Sequence, residues 1–290
     1  MGTLHEILAP DFLLRDALIA SVLIGLVCPL VGGYFVLRRM IFLGVALPQI
    51  SAAGIACAFL VYSTLASGHQ HGARPEQVLS LVGSFGFTLT GLVVLAALER
   101  RNRQTVEARI GTAYALAAAA TLLFVAVDPF GETQITNLLK GDIVTTSAGS
   151  LGLLAGGLSV VLVLLLAFRK ELLLVSFDRE MAVVLGLRAG LWDAVLYLAI
   201  GITISLGVMT AGPLVTFGFL VVPPLAARQI TRRMVTFSLA STLLGGGLAF
   251  VGFACAYRFD LPLGPTEVAF TGLGLVAMAI PRLLGVGHRP

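Results

Sequence analysis

The chain has 290 residues, 58% of them hydrophobic and only 12% charged, with a mean hydropathy of +0.99. That composition excludes an ordinary soluble domain and describes an all-α polytopic membrane protein. The net charge of +4 does not imply a nucleic-acid partner, because the basic residues fall at the ends of apolar segments.

Nine segments are long enough, or nearly so, to cross a bilayer: 17–37, 41–66, 78–98, 110–127, 149–168, 191–210, 212–227, 235–257 and 265–281. Each crossing needs about 20 apolar helical residues. The seventh is short and opens with Gly212-Pro213, so eight full spans with one broken helix is the alternative. Alternation of nine spans puts fifteen of the 19 Lys and Arg residues on one side and only Arg15, Arg74, Lys140 and Arg258 on the other. The positive-inside bias therefore predicts an amino terminus outside and a carboxyl terminus inside. No basic region precedes the first apolar run and further spans follow it, so no cleaved signal peptide is expected.

Polar features punctuate this pattern in order. In 38–60, RRMIFLGVALPQISAAGIACAFL, the residues Pro48, Gln49 and Ser51 interrupt an apolar helix near its middle. An amide at membrane depth must be paired or face water, so Gln49 points into protein or a cavity. The same residues also fit a packing device, with Pro48 kinking the helix and Ser51 to Gly54 allowing close contact. The loop 67–77 carries His69 and His71, a pair able to catch a transition metal and equally at home in a plain solvated loop. The stretch 128–146 is too polar to span and reads as a short external or re-entrant helix. In the longest basic-side connection, 168–193, Asp178, Arg179 and Glu180 lead an amphipathic helix near 178–187 with a cap and a first-turn acid. Its apolar residues Met181, Val184, Leu185 and Leu187 suit a docking helix, and a helix lying on the lipid surface is the alternative.

Cys28, Cys57 and Cys255 sit inside apolar segments without metal-ligand spacing. No Asp, Glu, Lys, Arg or His occupies the middle of a predicted span, and Asp16 and Asp193 stand at span edges. Ion-coupled carriers need intramembrane ionisable groups, so a transporter built this way draws its energy from another subunit. No GxxxxGK[ST] phosphate loop is present, so the chain itself is neither an ATPase nor otherwise read as an enzyme, and no cofactor is expected in it.

RRMIFLG after the first span, LLKGDIV at 138–144, SFDREMAVVLGLR, LVVPPLAARQITRR and FDLPLGPTEV occur in an order and spacing that resembles the permease subunits of bacterial zinc and manganese ABC importers. The resemblance runs nearly end to end and implies one permease domain, 1–290, in the bacterial inner membrane. It further implies a second copy of the chain, two ATP-binding subunits and an external solute-binding protein. Contact with the ATPase would fall on Asp178, Glu180, Ala182 and Gly186.

One departure stands out. The family's helix after RRM reads GDxxxHA, whose Asp and His are transient metal ligands, whereas this chain holds Val45 and Gln49 there. An apolar side chain cannot ligate, and an amide oxygen is a feeble ligand for zinc. At ~1.5 Å per residue from the arginine edge, Cys28 lies ~15 Å deep, Gln49 ~12 Å and Cys57 ~24 Å, so only Cys28 shares a level with Gln49. The expectation is an importer permease for a divalent transition metal, with Val45, Gln49, Ser51 and Cys28 along the path. The alternatives are the same architecture carrying a chelated or non-metal solute, and a non-transporting scaffold.

Overall fold

The computed structural model describes residues 12, 14–65, 73–101, 106–127 and 143–283. The helices are α1 (Arg15–Leu37), α2 (Leu43–Leu65), α3 (Ala73–Arg101), α4 (Val106–Val127), α5 (Ala148–Ala167), α6 (Arg169–Phe177), α7 (Arg179–Val184), α8 (Ala189–Ile230), α9 (Met234–Phe259) and α10 (Leu263–Leu283). No strand occurs among the described residues. All but α6 and α7 are long and apolar enough to cross a membrane, which makes eight. In hydrocarbon the backbone has no water to bond, and helices satisfy it internally.

All nine apolar segments read from the sequence are present, because α8 contains two of them. Gly212 breaks it with φ 81° and ψ 168°, a conformation open to glycine and closed to most side chains. A Cβ built on Gly207 would lie 2.9 Å from Thr216, although nine residues of straight helix span about 13.5 Å. The chain therefore turns back at Gly212, and 189–211 packs against 213–230 as a hairpin. Both ends of α8 return to one edge of the bundle: Asp193 is ion-paired to Arg38 beyond α1, and Arg228 shares a cavity with Leu37 and Arg39.

That hairpin and α1 form the centre. Most of their span residues are buried, 67% and 72% of the window respectively, against 17% to 22% in α3, α4, α5 and α10. The outer helices turn Val82, Leu116, Leu122, Leu123 and Val163 outward, as lipid-facing positions require. Small residues set the spacing at the centre. Gly32 lies so close to the Leu220 carbonyl that a Cβ would collide with backbone, and Gly54 and Gly83 face one another in the same way between α2 and α3. Helices in lipid associate through such close packing, since burying leucine against leucine gains nothing over lipid. Ser51 adds a hydrogen bond to Ser84 across the α2–α3 contact, and Ser241 donates to the Pro29 carbonyl at 3.3 Å between α9 and α1.

If these approaches hold the bundle, Gly32→Val should destabilise by about 1–3 kcal/mol or more through overpacking. Gly247→Ala, where no atom lies within 4 Å, should be neutral or stabilising by up to about 1 kcal/mol from helix propensity. Thermal unfolding of the two purified variants checks this, and equal behaviour would contradict it.

Candidate functional site

Two regions carry the functional reading: the arginine-rich edge with α6 and α7, and the α2 segment that holds Val45 and Gln49. At the edge, local sequence builds a protruding helix. Asp178 caps α7, its Oδ1 accepting from the Met181 amide at 2.9 Å. Gly186 ends it with φ +81°; its amide donates to the Val183 carbonyl and that of Leu187 to Ala182, each at 3.0 Å. That pair of bonds around a left-handed glycine is a Schellman cap.

The capped helix presents an apolar tip. Met181, Val183, Val184 and Leu185 are all exposed, Val184 to 79%. Ala182 faces the other way: it is fully buried and packs with Val175 and Ala189. Of the four residues expected to meet an ATPase, Asp178, Glu180 and Gly186 are therefore presented, while Ala182 seats the helix on its own bundle and cannot be touched from outside. A six-residue helix has under two turns, too few for hydrophobic periodicity to assign its faces.

An ion-pair cluster beneath the tip escaped sequence reading. Asp193, 4% exposed, accepts from Arg38 Nη1 at 2.9 Å on one oxygen and from Arg179 Nη1 at 3.1 Å on the other. Arg38 also donates through Nε to Ser176 Oγ at 3.1 Å, and its guanidinium lies 6.0 Å from the Tyr197 ring centroid. One carboxylate thus joins the end of α1, the start of α8 and the protruding α7. The sequence signal was present in part, since Asp193 stood at a span edge, but Arg38 lies far away along the chain and nothing local marks Arg179, in the preceding helix, as the second partner.

On α2, Val45 and Gln49 are both half-buried and one helical turn apart, so they share a face. Ser51 and Cys28 are fully buried. Ser51 spends its hydroxyl on Ser84. His69 and His71 lie outside the described residues, as does most of 128–146. Among the described residues no group of three or more His, Cys, Asp or Glu stands together.

A second surprise is Glu267, one turn into α10. It is fully buried, with Ser21 Oγ donating to its Oε1 at 2.6 Å and Oε2 left without a partner. The expectation concerns only the middle of each span, and Glu267 lies near the start of the 265–281 segment. Glu267 sits close enough to a span end that a count of residues near the span centre passes over it, and its burial comes from packing against Gly252 of α9.

Removing the Asp193 carboxylate would strand the largely buried Arg38 guanidinium, whose side chain is 14% exposed. Asp193→Ala should cost about 3–5 kcal/mol, the loss typical of breaking a buried pair. Arg179→Ala, whose side chain is 51% exposed, should cost no more than about 1 kcal/mol. Thermal unfolding ranks the two, and comparable losses would contradict the assignment of Asp193 as the shared anchor.

Comparison with known proteins adds a further line of evidence. The manganese import system permease protein ScaB of Streptococcus gordonii is 22% identical over 260 residues, covering 90% of this chain and 88% of that protein. The zinc transport system membrane protein TroC of Treponema pallidum is 27% identical over 281 residues, covering 95% and 91%. The solved structure of PsaBC from Streptococcus pneumoniae in complex with Fab matches with a TM-score of 0.80 at 19% identity, covering 96% of this chain and 94% of that one. The profile of the ABC 3 transport family matches residues 11–281, nearly the whole chain, and the protein belongs to that family.

Proposed function

We propose that this protein is the membrane permease of an ABC importer that passes a divalent transition metal inward, with ATP hydrolysed on a separate subunit docked at α7. The observation that carries the reading is the capped, apolar, outward-pointing α7 at the arginine-rich edge, anchored by Asp193 to the central helices. A free apolar tip on a short rigid helix gives an ATPase a surface to push against, and the excess of arginine assigns that edge to the cytoplasm. Family membership and relatives named for manganese and zinc transport support the same function and cargo.

The pathway runs along the half-buried face of α2 that bears Val45 and Gln49, closed on its open side by a second copy of the chain. An external binding protein delivers the cargo there. Gln49 offers an amide oxygen where the resembling family has a histidine, so the path holds a metal loosely and selectivity rests with the delivery protein. Val45 is the specific observation favouring a second reading, in which the cargo is a chelate or small organic solute that needs no side-chain ligand. A bacterial inner membrane is the location this reading assigns.

The test is uptake of radioactive zinc or manganese into liposomes holding the permease, its ATPase and its binding protein. ATP-dependent uptake by the parent supports the metal reading. Uptake by Val45→Asp with Gln49→His, and none by the parent, would refute it and favour the second reading.

A further inference from the structure

A cavity of about 510 Å³ opens at the arginine-rich edge, between the end of α1, the end of α6, the end of α8 and the start of α9. Four guanidinium groups rim it: Arg39, Arg228, Arg232 and Arg233. None of these side chains forms an ion pair or hydrogen bond with another described residue, in contrast to Arg38 and Arg179 nearby. Its open apolar lining is Phe177, 61% exposed, with Leu37 and Met234 half-buried, above Val36 and Phe237, which the bundle already buries. Arg39 is held in the left-handed region, φ 58°, which a non-glycine residue adopts at a cost.

Four cations round one small cavity repel one another, and no described carboxylate is ion-paired to any of them. The cavity lies where α1 and α8 leave the membrane and α9 enters it, the level at which phosphate headgroups sit. A basic rim beside open apolar side chains fits an amphiphile: guanidinium forks chelate phosphate oxygens, and an acyl chain covers Phe177, Leu37 and Met234. An acidic protein surface would satisfy the rim and leave Phe177, Leu37 and Met234 uncovered. We propose that this cavity is a binding site for an anionic phospholipid, the headgroup phosphate held by Arg232, Arg233, Arg228 and Arg39 and the chain against Phe177 and Met234. The proposal concerns how the arginine-rich edge is seated in the membrane, and the cavity borders the α7 contact at Phe177.

Native mass spectrometry of the detergent-solubilised complex of permease and ATPase, titrated with phosphatidylglycerol or phosphatidylcholine, tests it. The parent should retain phosphatidylglycerol in preference to phosphatidylcholine. Arg232→Gln with Arg233→Gln should weaken that retention about thirtyfold, at about one factor of five per arginine near a headgroup layer. Lys170→Gln, a charge removed from the same edge but not from the cavity, should leave it unchanged. Should the double variant fail to fold, rising salt must weaken phosphatidylglycerol retention by the parent and spare phosphatidylcholine. Equal retention of both lipids, equal loss in Lys170→Gln, or displacement of the lipid by inorganic phosphate at matched concentration would each overturn the proposal. So would lipid binding that appears only when the ATPase is removed, which would make the cavity a protein interface.

Discussion

A single carboxylate, that of Asp193, is the constraint on which the arginine-rich edge depends. It is almost out of reach of water and takes a guanidinium on each oxygen, one from the end of α1 and one from α7. Buried charge is tolerable only when paired, so the ends of α1 and α8 cannot separate without leaving Asp193 or Arg38 in surroundings that do not solvate it. The half-exposed Arg179 ties α7 to the same carboxylate. The α7 tip has few other ties to the bundle: Ala182 packs inward, and the remaining apolar residues point away. A push delivered to α7 therefore reaches α1 and the first turns of α8 through Arg179, Asp193 and Arg38.

Those two helices are also the least free to move independently. The α8 hairpin is closed at Gly212, and Gly32 of α1 sits against the backbone of its second half. Packing at that distance leaves no compressible layer between them, so displacement of one carries the other. Gly44, near the start of α2, packs against Leu220 and Val221 of the same half. The face of α2 bearing Val45 and Gln49 thus belongs to the mechanical unit that the arginine-rich edge grips. Under the proposed function, this continuity would link an ATP-driven movement at α7 to the proposed path some turns away.

Much of this was legible in order along the chain. Hydropathy located nine apolar segments within a few residues, because the penalty for unpaired backbone in lipid leaves long helices as the solution and composition marks them. Asp178 followed by Glu180 marked the start of α7, since caps are local chemistry. Gly212-Pro213 marked the break in α8, though not that the two halves fold on one another. What could not be read shares one physical cause. The pairing of Asp193 with Arg38 and Arg179, the burial of Glu267 beside Ser21 and the Ser51–Ser84 bond all join different helices, and no periodicity encodes which helix a polar group will meet. The inward turn of Ala182 was hidden for another reason, the shortness of α7.

The central claim is that Arg179, through Asp193, transmits force from the docking helix to the bundle. Its most direct test is ATP hydrolysis and solute uptake measured in the same liposomes for Arg179→Ala and Arg179→Lys, with the ATPase still bound in both. The account predicts that Arg179→Ala keeps hydrolysing ATP while uptake per ATP falls, and that Arg179→Lys restores part of the loss. Unchanged uptake per ATP in Arg179→Ala would contradict it.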